Sequence, residues 1–482
     1  MKPKKKKQKY LNILFYLILI LIFILSFMVR LWPLQTAHWW DEAVYLQNAE
    51  VIYSGANNYH ELNFRPPLLS IIFALAFFVK HHVFTGSIVV AILGMLAPIF
   101  TYLIGKKLYD KKTGFIAGII MAFSPFIVEN SRYIMTDIPS LSLICIGFYF
   151  LVLGDKHKKN YHYLLSGLFF AFAVLMRFTS LILLFIIPLY LLIKKINFRK
   201  ILPFGIGFAI GIVPYFIWAQ ITQGNFLKPF IIAQAVVSDR NEALFFYIIN
   251  FLKAYPIAVL IGLILWLVST LLFFNFKTLI RKKELIITTR IKLEKHLNKV
   301  DLVFLIWLLL FFIYMTFMVP HKELRYIIPI ALPLIMLSSR GIAYFINHRS
   351  KIIRYATLFF IVVIFLGSFA PSFTKLSAPL INTYKTEEME VSEFIVETYP
   401  PSTVIYSNHN YHVFAYYTKM RTLKLENQDE SFYAVFPKNM KEKGLLLIYK
   451  GIKHPTPEWT NNNPTFKLAK EFTNIRIYEY EP

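Results

Sequence analysis

As far as residue 371 the chain alternates long apolar runs with short polar interruptions; beyond it the pattern changes. A helix needs about 20 mostly apolar residues to cross a bilayer. Runs of this kind, some of them short, fall at 10–31, 84–105, 114–131, 137–154, 161–176, 178–194, 201–220, 248–274, 300–319, 326–346 and 354–371. Residues 66–80 are also apolar, but at about 15 residues they fall below spanning length and are predicted to form a re-entrant or interfacial helix. Basic clusters separate the runs: Lys2–Lys9, Lys106–Lys112, Lys156–Lys159, Lys194–Lys200, Arg281–Lys299 and Arg349–Arg354. They occupy alternate loops, so the positive-inside bias places all of them on the cytoplasmic side and predicts about eleven spans with a cytoplasmic N-terminus. The first run is too long for a signal peptide and lacks a small-x-small cleavage site, so it reads as a retained helix.

After residue 371 charged and polar residues return. Residues 387–398 read as a helix, and 403–407, 423–425, 444–450 and 475–480 read as strands. The expected fold class is an α-helical polytopic membrane protein, residues 1–371, with a first outer loop at 32–83 and a soluble extracytoplasmic α/β domain at 372–482. Composition sharpens this: 57% of residues are hydrophobic and 16% charged, against about 25% charged in a soluble domain. That excludes a soluble enzyme, a disordered chain and a disulfide scaffold, and the single cysteine, Cys145, excludes an intramolecular disulfide. Net charge is +25, yet residues 372–482 hold thirteen basic and thirteen acidic residues. The excess therefore belongs to the membrane part, where it orients helices, and nucleic acid is not expected as a partner.

Candidate chemistry concentrates in the outer loops. The first carries His38, Trp39, Trp40, Asp41, Glu42 and Tyr45 after the first span. Tryptophans there suit an interfacial belt, Asp41 can N-cap a helix expected at 42–54, and Glu42 can favour its dipole. A carboxylate beside aromatics at a membrane surface also suits a general base. The second outer loop holds Arg132 and Asp137, which opens a helix with Pro139 near its start. Arg65, Arg177 and the run His321-Lys322-Glu323-Leu324-Arg325-Tyr326 place positive charge on the side that the bias otherwise leaves without it. Snorkelling explains an Arg177 at an interface; binding of an anionic lipid headgroup explains all three, because arginine grips phosphate with two parallel hydrogen bonds. His81 and His82 have no metal-site spacing, and no phosphate-binding loop, HExxH, CxxC or GxSxG arrangement occurs in a fitting context.

Four short motifs share the outer face: Trp40-Asp41-Glu42-Ala43, Arg65-Pro66-Pro67-Leu68, Thr136-Asp137-Ile138-Pro139 and Arg325-Tyr326-Ile327-Ile328-Pro329. In this order they resemble the polytopic GT-C glycosyltransferases, in particular the group of protein O-mannosyltransferases and lipid A aminoarabinose transferases. Family members commonly carry lysine where this chain has Arg65. The resemblance covers roughly residues 10–345. It implies a polyprenyl-phosphate-linked sugar donor, dolichyl or undecaprenyl. Transfer to a hydroxyl of a protein, lipid or glycan would occur on the outer or lumenal face, with inversion, in the plasma or endoplasmic reticulum membrane. Asp41 would act as the catalytic base, with Glu42 and Asp137 supporting it. Arg65, Arg177, Lys322, Arg325 and Tyr326 would bind the lipid phosphate. His38, Trp40, Tyr45, Arg132 and Glu323 would orient the acceptor. No cofactor is required in principle; the oligosaccharyltransferase branch uses a divalent metal, and Asp41 with Asp137 are the residues that would hold one. The expected partners are thus the lipid-linked sugar, its acceptor and membrane lipids. A lipid-sugar flippase, or a non-catalytic subunit presenting the C-terminal domain, are the alternatives; the scarcity of charge within the spans disfavours transport. Every candidate catalytic residue lies before residue 326, so the C-terminal domain is expected to select the acceptor, with Tyr399, Tyr406, Tyr411, Tyr416 and Tyr417 as an aromatic contact surface.

Overall fold

The computed structural model of the chain describes residues 3–34, 36, 37, 39–55, 65–82, 84–236, 242–271, 299–379, 385–425, 432, 433, 436 and 440–482. Its helices run α1 (Pro3–Leu31), α2 (Trp40–Ser54), α3 (Leu68–Phe77), α4 (Thr85–Leu108), α5 (Lys111–Phe123), α6 (Pro125–Asn130), α7 (Asp137–His157) and α8 (Asn160–Met176). After a 3-10 segment (Phe178–Phe185) come α9 (Ile186–Ile193), α10 (Ile201–Gln223), α11 (Lys228–Val236), α12 (Phe246–Ile249), α13 (Phe251–Ala254), α14 (Ile257–Leu271) and α15 (Lys299–Phe317). A second 3-10 segment (Leu324–Ile330) leads into α16 (Ala331–Ile346), followed by α17 (Lys351–Phe373). The C-terminal part is α18 (Glu387–Thr398), β1 (Val404–Ser407), α19 (Tyr411–Thr418), β2 (Thr422–Lys424), β3 (Gly444–Tyr449), α20 (Pro457–Asn462), β4 (Phe466–Glu471) and β5 (Ile475–Tyr480).

The chain divides into two compact units. One comprises Met1–Leu34, Tyr59–Ile72 and Ser87–Leu380; the other, Gln35–Asn58, Phe73–Gly86 and Ile381–Pro482. The second unit is therefore discontinuous: it combines the C-terminal domain with α2, a helix that chain order alone groups with the membrane part.

In the first unit, seven helices among the described residues are long and apolar enough to span a bilayer, including α1, α4, α7, α15 and α17. The chain is a multi-pass membrane protein. The remaining expected spans are shorter or broken: 114–131 is split into α5 and α6, 178–194 begins as a 3-10 segment, and 248–274 contains two single turns before α14. The count of eleven spans is not established by these lengths. α3, at 10 residues, extends about 15 Å and is too short to cross. The basic cluster Arg281–Lys299 lies outside the described residues except for Lys299.

The other described clusters gather at one end of the helices. Lys111 lies over the Phe15 ring at 3.6 Å, Lys112 donates to Asn347 Oδ1 at 2.6 Å, and Lys194 pairs with Asp155 at 3.1 Å. At this end Asp301, 1% exposed, pairs with Arg340 and accepts a hydrogen bond from Tyr109, tying α4, α15 and α16 together. α7 and α16 are the most enclosed spans, each 89% buried over its apolar window. Small residues allow this. A methyl group on Gly341 would collide with Gly262 O of α14, and one on Gly207 of α10 with Leu164 O of α8, so at these crossings backbone touches backbone.

At the opposite end the break after Phe123 is explained by a missing donor. Pro125 has no N–H, so Met121 O loses its helical partner. Arg30, fully buried on α1, supplies the replacement: Nη2 donates to Met121 O at 3.0 Å and Nη1 to Ala122 O at 2.8 Å. Ser372 Oγ donates to Phe123 O at 2.7 Å. Three consecutive carbonyls at a helix C-terminus are thus capped by side chains, with the cation where the dipole favours it. α17 and its 3-10 extension run on to Ser377, beyond the boundary expected at 371, and Ser372 belongs to this packing.

In the second unit the sheet order is β2-β1-β3-β5-β4; β1 is parallel to β2 and β3, and β5 is antiparallel to β3 and β4. Alternation divides the core. Val404, Tyr406, Leu446 and Tyr478 face Phe432 and Met440, whereas Ile405, Leu445, Leu447 and Ile477 face Val391, Ile395 and Phe414 of α18 and α19. The helix at 387–398 and four strands agree with the sequence pattern. β4 is an additional edge strand, exposed at every position except Phe466, so it gives no alternation signal. The expected tyrosine surface is corrected here: Tyr406 is 1% exposed and Tyr416 6%, because their rings fill packing space.

The cap on α5 generates a prediction. Arg30→Met should lower the detergent melting temperature, with a loss of about 3 kcal/mol or more, because hydrogen bonds to a charged group contribute about 1.5–3 kcal/mol and the orphaned carbonyls remain. Adding Pro125→Ala should recover part of it by returning an N–H to Met121 O. A melting temperature unchanged in Arg30→Met would refute the capping role.

Candidate functional site

Asp137 is the first residue of α7 and is 3% exposed. Its carboxylate does not cap its own helix. It pairs instead with Arg177 (Oδ1 to Nη1, 2.9 Å) and lies 3.9 Å from Arg325 Nη1. Arg177 occupies the one extended residue between α8 and the 3-10 segment at Phe178–Phe185, which turns its side chain inward. The guanidinium sits over the Tyr326 ring at 5.1 Å and donates to Thr136 Oγ1 at 3.5 Å. This is a built contact, not snorkelling.

Arg325 is held from its other side by Glu323. Nε donates to Glu323 Oε2 at 2.5 Å and Nη2 to Oε1 at 3.2 Å, a two-point grip that fixes the plane of the guanidinium. His321 Nε2 reaches the same Glu323 oxygen at 3.0 Å, and Tyr326 O–H donates to it at 3.3 Å. Burial pushes the Glu323 carboxyl up, but the hydrogen bond and charge of Arg325, then His321, outweigh burial and hold it at about 2. The sequence pattern grouped Glu323 with acceptor-orienting residues; in the structure it orients Arg325.

Lys322 points away from this group. It is 5% exposed, and its ammonium donates over long distances to Glu242 O (3.3 Å) and Pro320 O (3.4 Å). It lines a cavity of about 480 Å³ together with Glu242, Leu244, Thr316, Phe317 and Pro320. Among the described residues no carboxylate lies within salt-bridge distance of it.

The remaining candidates fall elsewhere. Arg132, 4% exposed, donates to Val29 O and Ser372 O, both at 3.0 Å, so it joins the ends of α1 and α17. Arg65 is partly buried directly ahead of Pro66 and Pro67. Asp41, Glu42, Trp40 and Tyr45 belong to the second unit, on α2. There the capping expectation resolves: Glu42, fully buried, accepts the Trp39 N–H at 2.9 Å, and Asp41 is not the cap. Tyr45 is 4% exposed on the same helix. His38 lies outside the described residues.

Asp137 already faces two guanidiniums, and among the described residues no group of three or more His, Cys, Asp or Glu is arranged to hold a metal ion. Sequence reasoning missed Arg30 and Asp301; a charge inside an apolar run was the available signal for Arg30.

The buried pair generates a prediction. Arg177→Met should strand Asp137 and cost about 3–5 kcal/mol, the usual effect of removing one partner of a buried ion pair. Arg177→Met with Asp137→Leu should be closer to wild type in detergent melting. Glu323 has a depressed pKa, so its linked stabilisation is complete above its ordinary 4.5 and is lost only as pH falls towards about 2. Glu323→Gln should therefore not alter the shape of the stability profile from about pH 5 upward; a change there would reassign the ionised partner of Arg325.

Comparison with known proteins places this geometry in context. A family profile, dolichyl-phosphate-mannose-protein mannosyltransferase, matches residues 64–218. No curated protein sequence matches the chain. Among solved structures, ArnT from Cupriavidus metallidurans in the apo state is similar over 98% of both chains, with a TM-score of 0.70 and 11% identity. The same protein bound to undecaprenyl phosphate is similar over 97% of both, with a TM-score of 0.66 and 10% identity. The archaeal oligosaccharyltransferase AglB from Archaeoglobus fulgidus, in complex with an inhibitory peptide and a dolichol-phosphate, is similar over 89% of this chain and 69% of its own, with a TM-score of 0.59 and 12% identity. The chain has the GT-C fold and resembles the protein O-mannosyltransferase and aminoarabinose transferase group of polytopic glycosyltransferases.

Proposed function

We propose that the protein is an integral membrane glycosyltransferase that moves a sugar from a polyprenyl phosphate to a hydroxyl acceptor on the extracytoplasmic face. The observation that carries this reading is the pair Arg177 and Arg325, aligned on Asp137 and the Tyr326 ring at the helix ends opposite the basic clusters. Positive charge there runs against the bias that arranges the other loops. An anionic headgroup gives it a purpose. The bound undecaprenyl phosphate and dolichol-phosphate of the structural relatives support a donor of this class.

In the proposed reaction the acceptor oxygen attacks the anomeric carbon as the bond from that carbon to the phosphate oxygen breaks. The leaving electron pair stays on the phosphate, and Arg177 and Arg325 stabilise the charge that grows there. Glu323 holds Arg325 in the required plane. Asp41 accepts the acceptor proton, and the single displacement inverts the anomeric centre. Polyprenyl phosphate is a sufficient leaving group without a metal.

The test is transfer from a panel of radiolabelled polyprenyl-phosphate sugars by purified protein, with and without EDTA. One or more donors should be consumed, and EDTA should not change the rate. Asp41→Asn should lose two orders of magnitude or more, within the range of roughly 10²–10⁴ for general bases. Arg325→Lys should retain partial activity and Arg325→Ala almost none. Consumption of no donor refutes the enzyme reading; near-wild-type turnover in Asp41→Asn removes the base assignment alone.

A further inference from the structure

A general base must stay within hydrogen-bond reach of its proton, and a misplacement of about 1 Å can cost about 100-fold. Asp41 is the second residue of α2, and first turns fray unless held. The second unit contains the device that holds this one. Trp40 stands edge-on to Tyr411 (4.7 Å between centroids) and to His412 (4.6 Å), both on α19. His412 is 2% exposed, and its Nδ1 donates to Gln47 Oε1 of α2 at 3.0 Å. Because an amide oxygen only accepts, Nδ1 carries the proton. Tyr417 O–H donates to Ala37 O at 2.6 Å, just ahead of α2, and Lys419 pairs with Glu50 at 2.6 Å near its end.

α19 is in turn fixed to the sheet. Val413 and Phe414 are fully buried, and Asn410 beside its start donates to Glu388 Oε1 (3.2 Å), which also accepts from Tyr449 O–H (3.1 Å). The side chains immediately before and after Asp41 are therefore both immobilised: Trp40 by α19, and Glu42 by burial and its bond to Trp39 N–H.

We propose that α19 of the C-terminal domain is a positioning element for Asp41, with His412 and Trp40 as the residues that transmit the alignment. This rests on the assignment of Asp41 as base. It gives the C-terminal domain a part in turnover itself, where the sequence pattern suggested acceptor selection alone. His412 does not touch substrate in this account; it acts through α2.

Two measurements on the intact chain in detergent test it. The first is hydrogen exchange over residues 39–46, which needs no substrate. His412→Ala should speed exchange there by about ten-fold or more by loosening the turn. His412→Asn, whose amide N–H can replace Nδ1–H, should restore protection; Gln47→Ala should reproduce the His412→Ala effect from the α2 side. The second is turnover of the labelled polyprenyl-phosphate sugar that the wild type consumes best. His412→Ala should lower kcat about 10- to 100-fold with the donor KM unchanged. In the Asp41→Asn background it should have no further effect, since no base remains to be aligned. Unchanged exchange over 39–46 in a folded His412→Ala protein overturns the positioning role whatever Asp41 does. A further ten-fold loss in the Asp41→Asn background also overturns it, because α19 would then be acting on another group. Wild-type turnover in Asp41→Asn alone removes the base assignment and the proposal with it, while the exchange result still reports on the α19–α2 clamp.

Discussion

Within a bilayer a backbone carbonyl that loses its helical partner has no water to turn to, and the membrane unit is arranged around meeting that constraint. Pro125 breaks a helix where an apolar run would otherwise continue. Arg30 and Ser372 then close the exposed carbonyls of Met121, Ala122 and Phe123. The break lets the chain turn at 124–136, and the turn brings Arg132 to the ends of α1 and α17 and Asp137 to the head of α7. A buried arginine that looks like an anomaly in the first span is thus the condition for the polar end of the bundle.

The polar end follows a second rule: its Asp137 and Glu323 carboxylates face guanidiniums. Asp137 faces Arg177; Arg325 is gripped by Glu323; Asp301 at the other end faces Arg340. Such pairs are weak sources of net stability but strong sources of geometry, because removing either member is costly. Here the geometry is two guanidiniums with fixed planes beside one tyrosine ring. Lys322, like Arg30 and Arg132, rests on carbonyls, here at the edge of a cavity.

The second unit shows why sequence distance misleads about domains. α2 follows the first span directly, yet its buried face packs against α19, more than 350 residues later. The carboxylates on α2 are visible as a motif; the contact of that helix with His412 is not, since His412 sits in an unremarkable Tyr-His-Val-Phe stretch.

Hydrophobic patterning by itself determined the membrane class, the approximate helix positions, the α/β character of residues after 371 and the short motifs that point to the fold. These are legible because each depends on local periodicity and run length, which burial in lipid or in a sheet imposes on neighbouring residues. Tertiary structure alone decided which charges meet. It assigned the cap to Glu42 instead of Asp41, turned Arg132 into a helix tie, placed Glu323 behind Arg325, buried Tyr406 and Tyr416, and supplied an edge strand, β4, too polar to be read. Hydrogen bonds and ion pairs act over about 3–4 Å in space, and residues that close in space are set by packing of whole helices, which no local window of the chain records.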